Sequence, residues 1–395
     1  MKNLTYKGCS VMKKTRESSS SQIGTTEKRN LIACLANMGF THIEITMFAE
    51  TNANLVSHGF TPSPQSIEAE TQEWYDLIHA QPNVYGSSVF GGYMKVFDRP
   101  VFCAMGDNNG EIVTFTRETA TAVGTAASSS TDGESTWLGR FRRYLVTNVG
   151  LSRFRAGDIM CPAPEITGTA FGGFFFTNQA GAVTYVKQCH ILFDSLVTGG
   201  IFLNNPNFSE VTTGWWDGSA YTDTGFVCYD YYGAYRGTGK VTVADYVYDI
   251  NQTWAGTSLD GYGIGTASIP QFIGEWGDLS VSIAIPGDKT GDNFVTGTTK
   301  VEDWVHYWRT HYQALTALVD AGKITGYNYW GGWEEQNSSI LRKTGSGASS
   351  QYYPNWRGQI LSSFLRGGGV RRNPVITTGT FTEASTSFGG RAQNY

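Results

Sequence analysis

Charge is scarce in this chain: 16% of its residues are Asp, Glu, Lys or Arg, and their formal balance is −5. So few cations leave no basic stripe for a phosphate backbone or an anionic bilayer, which argues against nucleic acid and membrane partners. An uninterrupted apolar run of about 18 residues is also missing, so nothing in the sequence reads as a membrane span. No Cys-x-x-Cys pair occurs. The six cysteines (Cys9, Cys34, Cys103, Cys161, Cys189 and Cys228) lie inside strand-like or helix-like runs and read as small buried apolar residues, not as disulfides or a metal site. Asp288 and Asp292 share a Gly-rich loop but lack the full ligand pattern of a calcium site, so a solvated loop is expected, and no metal or cofactor. The first eight residues lack the apolar stretch of a signal peptide. The expectation is a secreted protein whose leader has been removed, with a cytoplasmic protein as the alternative.

Aromatic residues (14%) and 48 glycines supply what charge does not. Short apolar runs alternate with longer amphipathic ones, the pattern of a parallel sheet wrapped by helices. Strands are expected at Leu4–Val11, Thr41–Thr46, Pro100–Met105, Asp158–Ala163, Ile201–Leu203, Gly225–Asp230, Gln271–Gly274 and Thr325–Trp330. Helices are expected at Thr26–Met38, Pro64–Ala80, Ser135–Val149, Asn178–Val197, Val243–Gly256, Val301–Asp320 and Trp356–Leu365, with apolar residues at 3.6-residue spacing. Eight strands with helices between them predict an α/β fold, a (β/α)8 TIM barrel with enlarged loops over residues 1–366. Residues 367–395, rich in Gly, Thr and Arg, are expected to wrap the barrel or to be mobile.

In such a barrel the C-terminal strand ends build the site. Four of the expected ends carry polar or aromatic groups after an apolar run: Glu165 after strand 4, Asp230-Tyr231-Tyr232 after strand 6, Glu275-Trp276 after strand 7, and Tyr329-Trp330-Gly331-Gly332-Trp333 after strand 8. Two carboxylic acids facing each other across a cleft are the minimum equipment for cleaving a glycosidic bond.

On these residues the chain resembles a retaining glycoside hydrolase of the large (β/α)8 clan that includes many cellulases, mannanases and xylanases. A Glu closes strand 4, Gly-Glu-Trp-Gly closes strand 7 and a Trp closes strand 8, with Asp230-Tyr231-Tyr232 a partial match to the clan's His-x-Tyr. The resemblance implies Glu275 as nucleophile and Glu165 as acid/base, 110 residues apart in the chain. Cys161, Pro162, Ala163 and Pro164 would desolvate Glu165 and favour its protonated form. Tyr232 would orient Glu275 and Trp330 would carry the sugar ring. Trp215, Trp216, Trp276 and Trp333 are candidates for neighbouring subsites, since a sugar's C–H face packs on an aromatic ring. Asp230 is expected to hydrogen-bond beside the glutamates.

Two usual supports are missing. Pro164 stands where the clan often has Asn, and the run Thr41-His-Ile-Glu-Ile45 has no Arg near the end of strand 2. Asn204, Asn205 and His42 are the candidates to replace them. The implied activity is endo-hydrolysis of a β-1,4-linked glucan, mannan or xylan. An exo-acting β-glycosidase and a sugar-binding barrel without catalysis are the alternatives. An aldolase or isomerase would need a Lys or His cluster at a strand end, and none is there.

Overall fold

Eight strands, all parallel and each paired with its sequence neighbour, close into a barrel in which β8 returns to pair with β1. In the computed structural model they are β1 (Tyr6–Ser10), β2 (His42–Ile45), β3 (Lys95–Asp98), β4 (Ile159–Met160), β5 (Ile201–Asn204), β6 (Phe226–Asp230), β7 (Gln271–Trp276) and β8 (Gly326–Tyr329). The structure describes residues 6–11, 22–57, 64–83, 90–100, 122–162, 179–204, 226–230, 271–276, 312–313, 315, 317–319, 324–330 and 340–366. The expected C-terminal extension, the helix at Val243–Gly256 and most of Val301–Asp320 lie outside them.

Phe97, Ile159, Cys161, Leu203 and Phe272 form one buried cluster. They come from four strands and the residue after β4, and they meet because alternate side chains of a strand point to the same face. This cluster fills the barrel interior. The larger apolar cluster, with Ile43, Ile45, Val96, Ile273, Tyr327 and Tyr329, uses the other face of the same strands and packs against helices. Each fully buried aliphatic or Phe side chain contributes about 1.5–3 kcal/mol.

The helices follow the expected periodicity. In α1 (Thr25–Met38), Leu31, Ile32, Leu35 and Met38 form the buried stripe. Gly39 ends it at φ 102°, and a Cβ there would come 2.9 Å from Leu365, so both the left-handed backbone and the close approach demand glycine. In α2 (Ile67–Ala80), Ser66 caps the first turn by accepting from the Ala69 N–H. Thr136 does the same for α3 (Trp137–Arg143), which continues as a π-helical stretch to Val149. The long α4 (Gln179–Leu196) leads into β5. The last helix among the described residues, α5 (Trp356–Leu365), locks onto the barrel through Lys7, whose Nζ donates to the Leu365 carbonyl at 2.8 Å.

One expected element is shifted, and one observed element was not expected. The third barrel strand is Lys95–Asp98, ahead of the expected Pro100–Met105, which apart from Pro100 lies outside the described residues. Its Lys-Val-Phe-Asp pattern lacks a continuous apolar run, and the buried Asp98 Oδ2 accepts from two distant hydroxyls, Tyr75 and Tyr144, each at 2.7 Å, while its Oδ1 has no hydrogen-bond partner among the described residues. An antiparallel hairpin, β9 (Leu341–Thr344) and β10 (Gln351–Pro354), also follows the barrel and was not expected. It is clamped to α1 by Lys343 and Tyr352, both 2.6 Å from the Glu27 carboxylate. Four cysteines, Cys9, Cys34, Cys161 and Cys189, are free and buried, as the sequence suggests.

Candidate active site

All eight strands point the same way, so their C-terminal ends form one rim. At that rim β7 carries one residue more than either neighbour. Ile273 pairs with Tyr229 and Tyr327, yet Asp230 pairs with Glu275 and Tyr329 with Trp276. Gly274 is the extra residue, a bulge that inverts the in–out alternation beyond it. Phe272 faces into the barrel and Ile273 out. After the bulge, Glu275 turns inward and Trp276 outward.

Glu275 pairs directly with Arg99, and Arg99 in turn lies against Glu44 and Trp330. Arg99, immediately after β3, places Nη1 2.6 Å from the Glu275 Oε1. The same nitrogen lies 3.4 Å from Oε1 of Glu44, on β2. The other Glu44 oxygen accepts from Nδ2 of Asn328, on β8. Trp330, just past β8, lies beside the guanidinium, with Cζ of Arg99 5.6 Å from its ring centroid. Glu44 and Asn328 are fully buried, Arg99 is 1% exposed and Glu275 5%. Two carboxylates thus share one guanidinium at the mouth of the barrel, where the low dielectric makes each contact stronger than in water. A carboxylate held in one orientation and partnered by a fixed cation suits nucleophilic attack at a carbon centre.

The structure brings together only part of the expected set. Glu165, Tyr232, Asn205, Trp215, Trp216 and Trp333 lie outside the described residues. For Asn204 and Asp230 the backbone alone is described: it puts them at the last positions of β5 and β6, on the same rim as Glu275. Trp330 sits on that rim, 9% exposed, and its backbone N–H donates to the Trp276 carbonyl at 2.8 Å.

Two candidates are placed elsewhere. Trp276 is fully buried on the outer face of the sheet, edge-on to Tyr327 at 4.9 Å and to Tyr329 at 5.3 Å. The bulge turns it away from the cleft, so it packs instead of lining a subsite. His42 opens β2 at the other end of the barrel, packed among Tyr6 and Phe90. Its Nε2 donates to the Gly157 carbonyl at 2.9 Å, in the turn before β4. Burial drives its pKa down to about 4, which keeps the ring neutral. It supports the closed end of the barrel and does not reach Glu275.

A cation does reach Glu275, from Arg99, just after β3 and one strand further round than β2. Glu44, Arg99 and Asn328 were not singled out beforehand. The available signal was His-Ile-Glu-Ile in β2, where every second residue is polar although both faces of a barrel strand are normally apolar. Among the described residues no cluster of three or more His, Cys, Asp or Glu has the placement to hold a metal ion.

No protein-family model matches the sequence, and a comparison with curated proteins finds no match. Solved structures do match by shape. β-Glucuronidase 2 of Bacteroides uniformis, covalently bound to cyclophellitol-6-carboxylate aziridine, aligns with TM-score 0.50 at 9% identity, over 94% of this chain and 36% of its own. The chain therefore spans little more than a third of the length of that enzyme. A glycoside hydrolase family 5 mannosidase from Rhizomucor miehei aligns with TM-score 0.48 at 9% identity, over 91% of this chain and 92% of its own. An endo-β-1,4-mannanase from Cellulomonas fimi aligns with TM-score 0.48 at 11% identity, over 91% of this chain and 70% of its own. At 9% identity the likeness to the β-glucuronidase shows the fold alone.

Proposed function

We propose that this chain is a retaining β-glycoside hydrolase in which Glu275 is the nucleophile and Glu165 the acid/base. The observation that carries the reading is the inward, ion-paired Glu275 carboxylate at the C-terminal rim, 2.6 Å from Arg99. Glu275 attacks the anomeric carbon while Glu165 gives its proton to the departing glycosidic oxygen. Glu165, now ionised, takes a proton from water, whose oxygen displaces Glu275 and restores both side chains. The two inversions leave the anomeric configuration retained. This sequence of steps needs the two carboxyl groups roughly 5 Å apart, without room for water between them in the first step.

The substrate we infer is a β-1,4-linked glucan, mannan or xylan cut internally. Trp330 at the rim and Trp333 three residues on suit a chain of sugars better than a single one. Proton NMR of the first product formed from such polymers tests the reading: the β-anomer should appear before mutarotation. Appearance of the α-anomer first would contradict it. Release of one sugar at a time from a chain end would replace endo-action by exo-action. Binding to the polymers with no new reducing ends would favour a sugar-binding barrel without catalysis.

A further inference from the structure

We propose that Glu44 is a positioning residue that sets both the orientation of Arg99 and the basicity of Glu275; the inference rests on reading Glu275 as the nucleophile. Glu44 has no packing reason to be charged. It occupies an inward position on β2, fully buried, where an apolar side chain of similar volume would fold at least as well. Instead its two oxygens are divided between two strands. One faces Nη1 of Arg99 at 3.4 Å, and the other takes the amide hydrogen of Asn328. Arg99 is thereby held on three sides, by Glu44, by Glu275 at 2.6 Å and by the Trp330 ring at 5.6 Å. A long side chain fixed in this way loses the freedom to swing off its partner.

The arrangement also has an electrostatic consequence. A guanidinium with Glu275 as its sole partner would hold that carboxylate strongly ionised and make it a feeble nucleophile. Glu44 on the same nitrogen cancels part of the positive field that Arg99 sets up at Glu275. Glu275 therefore attacks as a better nucleophile than an isolated Arg–Glu pair would allow. The device needs a second carboxylate that never touches the sugar, and full burial of Glu44 meets that condition.

The test reads the proton affinity of Glu275 without any substrate. Stability of the wild type and of Glu275→Gln is followed by denaturation across pH, and the pH at which the two curves part reports the ionisation of Glu275. The pair is then repeated with Glu44→Gln. The proposal expects the parting pH to fall by at least about half a unit, a roughly threefold rise in the acid dissociation constant. An unmoved parting pH overturns it. If Glu44→Gln does not fold, the wild type with 13C-labelled glutamate serves instead. The Glu275 carboxyl signal should then titrate with two inflections, its own and that of Glu44, and a single inflection overturns the proposal. On a cleaved substrate the acidic limb of kcat/KM should move down with Glu44→Gln, a shift that a merely structural role would not produce. A wild type that cleaves no β-glycan defeats the hydrolase reading alone, because the stability measurement still decides the role of Glu44.

Discussion

The guanidinium of Arg99 and the carboxylate of Glu275 lie 2.6 Å apart although 176 positions separate them in the chain. The barrel makes the contact: β3 and β7 face each other across its axis, and the bulge at Gly274 turns Glu275 toward the centre. Both partners are almost wholly enclosed, so neither is well solvated without the other.

Arg99→Met should therefore weaken the fold as well as the site. It leaves Glu44 and Glu275 as neighbouring buried carboxylates without their cation. The expected loss is about 3–5 kcal/mol in chemical denaturation at neutral pH, shrinking in acid as the carboxylates protonate. Equal stability of variant and wild type would mean that the pair contributes nothing.

Glu275→Ala should keep the fold and abolish turnover. Added azide, small enough to enter the space vacated, should restore cleavage of a substrate with an activated leaving group and give a glycosyl azide of inverted configuration. Glu165→Ala should behave differently, losing natural substrates while sparing activated ones. Wild-type rates in both variants would contradict the assignment.

Trp276 and Trp330 should separate cleanly under mutation. Trp276→Ala empties a fully buried site between Tyr327 and Tyr329 and should cost about 3–5 kcal/mol of stability. Among molecules that remain folded, KM should hardly change. Trp330→Ala should raise KM more than it lowers stability, because its ring lies at the rim. The reverse pattern in the two variants would put Trp276 in the cleft.

The Asp98 carboxyl gives a pH prediction. Burial pushes its pKa up to about 7 from 3.8, against the pull of hydrogen bonds from Tyr75 and Tyr144. Between these values the folded protein holds a proton that the unfolded chain has lost. Stability from this group is thus full below about pH 4 and is lost as pH rises through about 7. Asp98→Asn should match the wild type near pH 4 and exceed it near pH 8, by an amount on the order of a few kcal/mol. Melting curves at the two pH values check this, and a gain at pH 4 alone would be the wrong sign.

The barrel was legible because its strands are short apolar runs set between helices of clear period. Thr25–Met38 and Trp356–Leu365 fall within a residue of expectation. Local pattern failed where distant partners decide. Lys95–Asp98 hides as a strand because the partners of its buried Asp98, tyrosines on α2 and on the π-helical turn that donate to one of its oxygens, are distant in sequence. Trp276 misleads because a single extra residue, Gly274, exchanges the faces of β7; the glycine inside the strand was the available signal, since an isolated Gly there often marks a bulge. Arg99 and Glu44 could not be paired with Glu275 before the barrel closed, since each comes from a different strand.

The most direct test of the account is to trap the glycosyl-enzyme. The protein is incubated with 2-deoxy-2-fluoro β-glycosides bearing an activated leaving group, then digested, and the modified peptide is sequenced by mass spectrometry. The account predicts one sugar, ester-linked to Glu275, appearing as activity is lost. A sugar found on any other residue, or loss of activity with no sugar attached, would contradict it.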